Sequence, residues 1–477
     1  MILKPKYLNA NKNYNEMKKV LFLLLVFGFV AVSCSKNESN EIYEDLPNLL
    51  ERQLAGGATT IFSDNSTAFS NVAPNATGAD FTNHAFGDAQ FEQAFVTAPS
   101  NVNGGLGTIF NNTSCVSCHA KDGRSAFPSN LSNLGGLLLR GSILGQGLNG
   151  SPNPIPGFGT QIQNQSVFGS IPEARYQANF LTTTETLSDG TLVSLRKPVF
   201  YLTDSYLPLP SGIMLSPRIA TPVFGLGLLE AISDANLLAN QDINDANADG
   251  ISGKANYVWD PVLNQTKIGR FGWKANSSSV LVQCAGAYVE DMGVTNYVFP
   301  NETGFNQSNG QDGLNDDPEI SNSILDAVAL YCKTLAVPAS RNATNIEVRR
   351  GAKTFEEISC VKCHTPKQQS SYNAIASISN QTFYPYTDLL LHDMGPELAD
   401  NRPDFLATGT EWKTRPLWGI GLTQIVNGHT NFLHDGRARS ITEAILWHGG
   451  EAQNAKEKFK QLSTQKRNEL LAFINSL

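Results

Sequence analysis

Side chains able to hold a metal are scarce in this chain: 477 residues include seven histidines, seven cysteines and five methionines. A place where several of them gather therefore stands out. Charge is sparse as well. Charged residues make up 16% of the chain and the net charge is −8, which removes the basic surface that a nucleic-acid partner needs. Long apolar runs are missing apart from residues 20–32, a stretch too short to be read as a spanning helix. The remainder, with 41% hydrophobic residues overall, is ordinary globular material, long enough for two or three domains.

Met17-Lys18-Lys19 supplies a basic region ahead of that apolar run, so the segment reads as an export signal. It ends in Ala31-Val32-Ser33-Cys34, which resembles a bacterial lipobox. On that reading residues 1–33 precede the mature protein, with residues 1–16 an over-long start and Met17 the initiator of the signal, and Cys34 is lipidated, anchoring the protein to a membrane on the periplasmic side. A plain secretory signal cut nearby is the alternative. Residues 34–60, polar and rich in Asn, Glu and Ser, follow as a tether.

Four of the seven cysteines stand in two pentapeptides, Cys115-Val-Ser-Cys118-His119 and Cys360-Val-Lys-Cys363-His364. Two thiols at this spacing can form thioethers to the vinyl groups of one haem while the adjacent imidazole reaches the iron, so each reads as c-type haem attachment. A four-thiolate zinc site is the alternative, but zinc does not need a His directly after each second Cys. Cys284 and Cys332 are left over. An exported protein allows a disulfide between them, and buried free thiols are equally open.

The chain around the motifs looks duplicated. Phe110 lies five residues before Cys115, and Phe355 five before Cys360. Asn345 can cap a helix running from Ile346 towards Ile358 into the second motif. Amphipathic helices close both halves, over residues 323–335 and 463–477, and Pro338 ends the first of them. Residues 221–228 and 415–422 echo each other, with glycines that permit close backbone approach to a flat cofactor. The expected fold is mainly α: two cytochrome c-like haem domains, 61–338 and 339–477, with long loop and short-strand insertions in the first.

Several longer stretches carry a family resemblance: Leu-Ser-Pro-Arg-Ile-Ala at 215–220, Gly-Leu-Gly-Leu-Leu-Glu-Ala-Ile at 225–232, Gly-Arg-Phe-Gly-Trp-Lys-Ala at 269–275, Leu-Leu-Leu-His-Asp-Met-Gly at 389–395, Glu-Trp-Lys-Thr-Arg-Pro-Leu-Trp at 411–418 and Leu-His-Asp-Gly-Arg-Ala-Arg at 433–439. Together they resemble the di-haem oxidoreductase family, whose members are often labelled thiol oxidoreductases. More distantly the chain is similar to bacterial di-haem cytochrome c peroxidases and to the di-haem enzyme that matures the tryptophan tryptophylquinone cofactor. The resemblance implies an N-terminal haem where peroxide reacts and a C-terminal haem that passes electrons.

The sixth position of each iron decides its work, because an iron closed on both faces transfers electrons and one with a free face can bind peroxide. For the second haem, His364 is proximal and His448 is the expected partner. Ser440 and Glu443 form a capping box, and Ile441, Ala444, Ile445 and His448 follow at i, i+3, i+4 and i+7. Met394 is the reserve ligand. The related peroxidases usually place Met near this point; His should lower the potential, which puts a high-potential donor in doubt. For the first haem, His119 is proximal and no His follows within a hundred residues, leaving one face open. His84 could reach back, though it reads equally as a packing residue.

Peroxide chemistry needs a group that moves a proton between the two oxygens. Glu230 is the first candidate, since a carboxylate amid Leu and Ala should be buried; Asp242 is the second. Arg218, Arg270, Arg415, Arg437 and Arg439 are candidates to pair with haem propionates. Trp273, Trp418 and Trp447 read first as core, with a place between the haems as the alternative. Asp245, Asn247 and Asp249 alternate ahead of Gly250 as in the first half of a calcium loop, but the twelfth position is Asn256 and a solvated turn is equally open.

These readings converge on a peroxide-reducing di-haem enzyme fed by a small c-type cytochrome or another periplasmic donor. The alternatives are an electron carrier with both irons closed, and an oxidase acting on a protein or thiol. The attachment motifs predict two covalent haems per chain by pyridine haemochrome assay, falling to one in a Cys360→Ser/Cys363→Ser double variant. A wild type carrying one haem, or bound zinc in place of haem, would refute the assignment.

Overall fold

The computed structural model describes residues 46–131, 135–304 and 306–477. The export signal and Cys34 lie outside these residues. Asn48 to Leu477 form one unit. No helix among the described residues is long and apolar enough to cross a membrane.

Two crossed helix pairs form the skeleton. In the first half, α1 (Gly78–Glu92) packs on α3 (Asn322–Thr334); in the second, α4 (Ile346–Glu357) packs on α6 (Thr464–Ser476), while α2 (Val280–Met292) and α5 (Ile441–Leu446) lie between in sequence. Asn345 starts α4 by accepting hydrogen bonds from the N–H groups of Glu347 and Val348. Ser440 caps α5 in the same way, accepting from the N–H of Glu443. Each pair crosses at a glycine. A Cβ at Gly87 would collide with the Ala327 carbonyl, and one at Gly351 with the Glu469 carbonyl. These crossings bring Phe91 to 6.1 Å from the His119 ring and Phe355 to 6.3 Å from the His364 ring. The counterpart of Phe355 is thus Phe91 on α1, not Phe110, which lies in a short strand paired with residues 165–166.

The mainly-α expectation does not hold: 28% of the chain is helix and 21% is strand, spread over several small sheets. Much of the strand lies between the first haem motif and residue 219. β1 (Leu137–Gln146) pairs antiparallel with β4 (Met214–Ile219), and β2 (Arg175–Thr186) with β3 (Leu192–Thr203). The hairpin is rich in the β-branched residues Thr182, Thr183, Thr184, Val193 and Val199, which suit an extended chain. Its tip reaches the last helices of the second half. The Ser188 N–H donates to the Lys460 carbonyl at 2.9 Å, Glu185 pairs with Lys456 and Lys460 at 2.9 and 2.8 Å, and Asp189 pairs with Arg467.

The echoed glycines have a use other than receiving a flat cofactor. Gly225 and Gly419 both have left-handed φ, 71° in each case. A Cβ on Gly225 would meet Trp418 at 2.6 Å, and one on Gly419 would meet Phe224 at 2.6 Å. Each glycine therefore receives the aromatic ring that precedes the other, which locks the two repeats together. Since a methyl at the α4–α6 crossing has no room, Gly351→Ala should cost about 1–3 kcal/mol in denaturant unfolding of the holoprotein. Gly286→Ala, on α2 with only Phe299 near at 3.9 Å, should be neutral or stabilising and serves as the control.

Candidate haem sites

At the first motif Ser114 caps the short helix Cys115–Cys118, accepting from the Ser117 N–H. His119 then donates from Nδ1 to the Thr221 carbonyl at 2.7 Å. With Nδ1 occupied as donor, Nε2 keeps its lone pair, as a metal-binding imidazole requires. At the second motif His364 donates from Nδ1 to the Tyr386 carbonyl at 3.0 Å. His448, just past the end of α5, donates from Nδ1 to the Ala444 carbonyl at 2.7 Å. Burial is the main force holding His364 down, to about 4, and the nearby His448 adds to the lowering. Burial also lowers His119 and His448, so all three imidazoles are neutral at physiological pH. All three lie deep in the protein yet retain accessible surface, as groups facing a cofactor space do.

A cavity opens beside His119, Cys115 and Cys118. One face of α2 forms a wall, with Val280, Gln283, Cys284, Ala287, Tyr288 and Asp291 at i, i+3, i+4, i+7, i+8 and i+11. Facing the cavity are also Arg124, Lys413 and Arg415. Burial draws Arg124 down to about 10 and Arg415 to about 9, and Lys413 falls well below the usual lysine range. Arg415 and Arg124 depress each other's neighbours further: Arg124 lowers Arg415, and Arg415 lowers Lys413. None of the three has a carboxylate partner among the described residues, and Arg124 Nη1 and Arg415 Nε lack any hydrogen-bond acceptor. Both guanidiniums lie over Trp273, at 5.7 and 5.0 Å. Such a group of buried cations fits the two propionates of a haem whose vinyl edge meets the cysteines.

Of the arginines proposed from sequence, Arg415 and Arg218 line this cavity, and Arg415 is the one without a carboxylate partner. Arg218 pairs with Asp404 at 2.9 Å, Arg270 with Asp234 at 2.5 Å, Arg437 with Asp435 at 2.8 Å and Arg439 with Glu443 at 2.9 Å. Arg124 and Lys413 went unread, although Arg124 follows His119 by five residues and Lys413 lies inside a quoted motif.

The carboxylates are also redistributed. Glu230 pairs with Lys333 at 2.7 Å and accepts the Val280 N–H at 2.5 Å, serving the start of α2. Asp242 accepts the Ala246 N–H at 2.8 Å in a surface turn. Neither lines the cavity, whereas Asp291 does. Burial raises the Asp291 pKa against the opposing charge of Arg140, and Gln161 donates to its Oδ1 at 2.8 Å. Its place in the heptad pattern of α2 was the available signal. His84 bonds Thr334 through Nδ1 at 2.8 Å and packs on Tyr331, away from the cavity lining.

In the Asp245–Asp249 loop the oxygens are taken by the loop itself. Asp245 accepts from the N–H groups of Asp249 and Gly250, Asn247 accepts from Asp249, and the second oxygen of Asp249 meets Lys362 Nζ at 2.7 Å. Among the described residues, the carboxylates that gather within 4.8 Å of one another are Glu302, Asp317 and Glu319 instead.

Two thiol-pair attachment sequences, each followed by an imidazole set in the metal-binding tautomer and one backed by uncompensated cations, define a two-haem redox protein. The chain matches over residues 50–477 the family model described as "di-haem oxidoreductase, putative peroxidase". It belongs to the di-haem oxidoreductase family, and its cofactors are haems. No curated protein matches it. Because Arg124 and Arg415 are without acceptors, an Arg124→Gln/Arg415→Gln pair should weaken retention of the first haem during maturation, read as a fall in the haem-to-protein ratio towards one. An unchanged ratio of two would show that other groups hold the propionates.

Proposed function

We propose that this protein is an exported, membrane-anchored peroxidase that reduces hydrogen peroxide at the N-terminal haem, with electrons entering through the C-terminal haem. Both haems are attached covalently, through Cys115 and Cys118 and through Cys360 and Cys363. The donor is a small c-type cytochrome or another periplasmic electron carrier. The observation that carries the reading is the contrast between the sites: His448 stands beside His364 with its Nδ1 tied back, while the cavity beside His119 is lined by Asp291 and Gln283.

A haem held beside His119 by Cys115 and Cys118 would supply an iron able to bind and polarise peroxide. The protein residues supply the rest. Thr221 orients His119, and Arg124, Lys413 and Arg415 anchor the propionate edge. Asp291, kept protonated to higher pH by its burial, moves the proton from one peroxide oxygen to the other. Gln161 holds its carboxyl, and the buried Gln283 Oε1, without a partner of its own, is placed to accept from a bound peroxide. At the 245–249 loop a calcium ion would have to displace Lys362 from Asp249.

Three measurements test the reading. The oxidised protein should contain a high-spin component that shifts with peroxide, cyanide or carbon monoxide. Irons that are both six-coordinate and low-spin in every redox state would sink it. Asp291→Asn should slow peroxide turnover by about 10²-fold with both haems retained. His448→Met should raise the potential of the second haem and leave ligand binding at the first unchanged; an unchanged potential would exclude His448 as ligand.

A further inference from the structure

Two cysteines belong to neither attachment motif nor the leader, and the fold brings them together. Cys284 is on α2 and Cys332 on α3, and these two helices pack against each other. Both line the cavity of the first haem. Their exposure is unequal: Cys332 is buried at 3%, whereas Cys284 keeps accessible surface. Cys284 shares its helix face with Gln283 and Asp291, the polar groups assigned to peroxide. An accessible thiol backed by a buried one is the arrangement in which a sulfur oxidised first is resolved by its neighbour.

We propose that Cys284 and Cys332 form a dithiol–disulfide couple in the wall of the first haem cavity, oxidised by hydrogen peroxide with Cys284 reacting first and Cys332 resolving. The proposal rests on the peroxidase reading only in that peroxide has to enter this cavity. The Cys284 sulfur attacks one peroxide oxygen; the S–O bond forms, the O–O bond breaks, and the thiol proton leaves with the second oxygen as water. The Cys332 sulfur then attacks the sulfenic sulfur; the S–S bond forms, the S–O bond breaks, and the hydroxyl leaves with the Cys332 proton as a second water. Two thiols lose two electrons in all, and one peroxide becomes two waters. The couple reacts when peroxide arrives faster than electrons do. Closing it ties α2, which carries Asp291, to α3.

The test uses the holoprotein with both haems, reduced by a phosphine, desalted, and treated with one equivalent of hydrogen peroxide without any electron donor. Denaturation in iodoacetamide and peptide mass spectrometry follow. Before peroxide both cysteines should carry the label; afterwards most chains should contain a Cys284–Cys332 linked peptide. Cys332→Ser should give no link and a dimedone adduct at Cys284, while Cys284→Ser should give neither. Full labelling of both wild-type thiols after peroxide, or a link already present in the phosphine-treated protein, overturns the couple. Peroxide consumption with a reduced donor is read on the same sample. Turnover without the link rejects the couple and leaves the peroxidase reading in place, whereas the link without turnover supports the couple and rejects that reading.

Discussion

Uncompensated positive charge at the first haem cavity constrains more of this molecule than any other feature. Arg124 and Arg415 are half-buried, Lys413 is buried with its Nζ donating to the Arg270 carbonyl, and none of the three is matched by a carboxylate among the described residues. Burying an unpaired charge costs several kcal/mol even after relaxation, so the folded protein favours an anion at this place. Haem propionates meet the demand. The three cations also come from both halves of the chain, Arg124 just after the first motif and the other two from beyond the second. A haem seated in this cavity would therefore be contacted by both halves of the chain.

The duplication is visible in packing more than in sequence. Each half crosses two helices at a glycine and sets a phenylalanine about the same distance from its motif histidine, 6.1 and 6.3 Å. The halves then exchange aromatic rings, Trp418 onto Gly225 and Phe224 onto Gly419. Against that shared frame the differences acquire meaning. The second half brings His448 beside its motif histidine, and the first brings a helix face carrying Gln283, Cys284 and Asp291. The hairpin that spans from the first half to Lys460 and Arg467 has no counterpart described in the second.

Where reading the sequence succeeded, the controlling interactions were local. The caps at Asn345 and Ser440 and the closing helices all depend on residues within a turn or two of one another, although the Glu443 carboxylate takes the Arg439 N–H and not the Ser440 N–H that a capping box needs. Where it misled, distant partners intervened. Glu230 sits in an apolar stretch, but Lys333 and the start of α2 claim it. Four of five candidate arginines pair with carboxylates, Arg218 and Arg270 with the remote Asp404 and Asp234, and Arg437 and Arg439 with the near neighbours Asp435 and Glu443. Phe110 matches Phe355 by count, but one is in a strand and the other in a helix. The strands of the insertion carried β-branched residues, yet their pairing across residues 137–219 set the fold class away from mainly α.

By itself the sequence determined the two Cys-x-x-Cys-His motifs and several of the helices near them, because motif spacing and i, i+4 periodicity are properties of neighbouring residues. Only the tertiary structure decided which carboxylate faces the first cavity, which cations lack carboxylate partners there, and that Cys284 and Cys332 line the same cavity. Those outcomes depend on residues hundreds of positions apart arriving at one place. Burial then sets their protonation and their need for partners, and no local pattern encodes burial at that range.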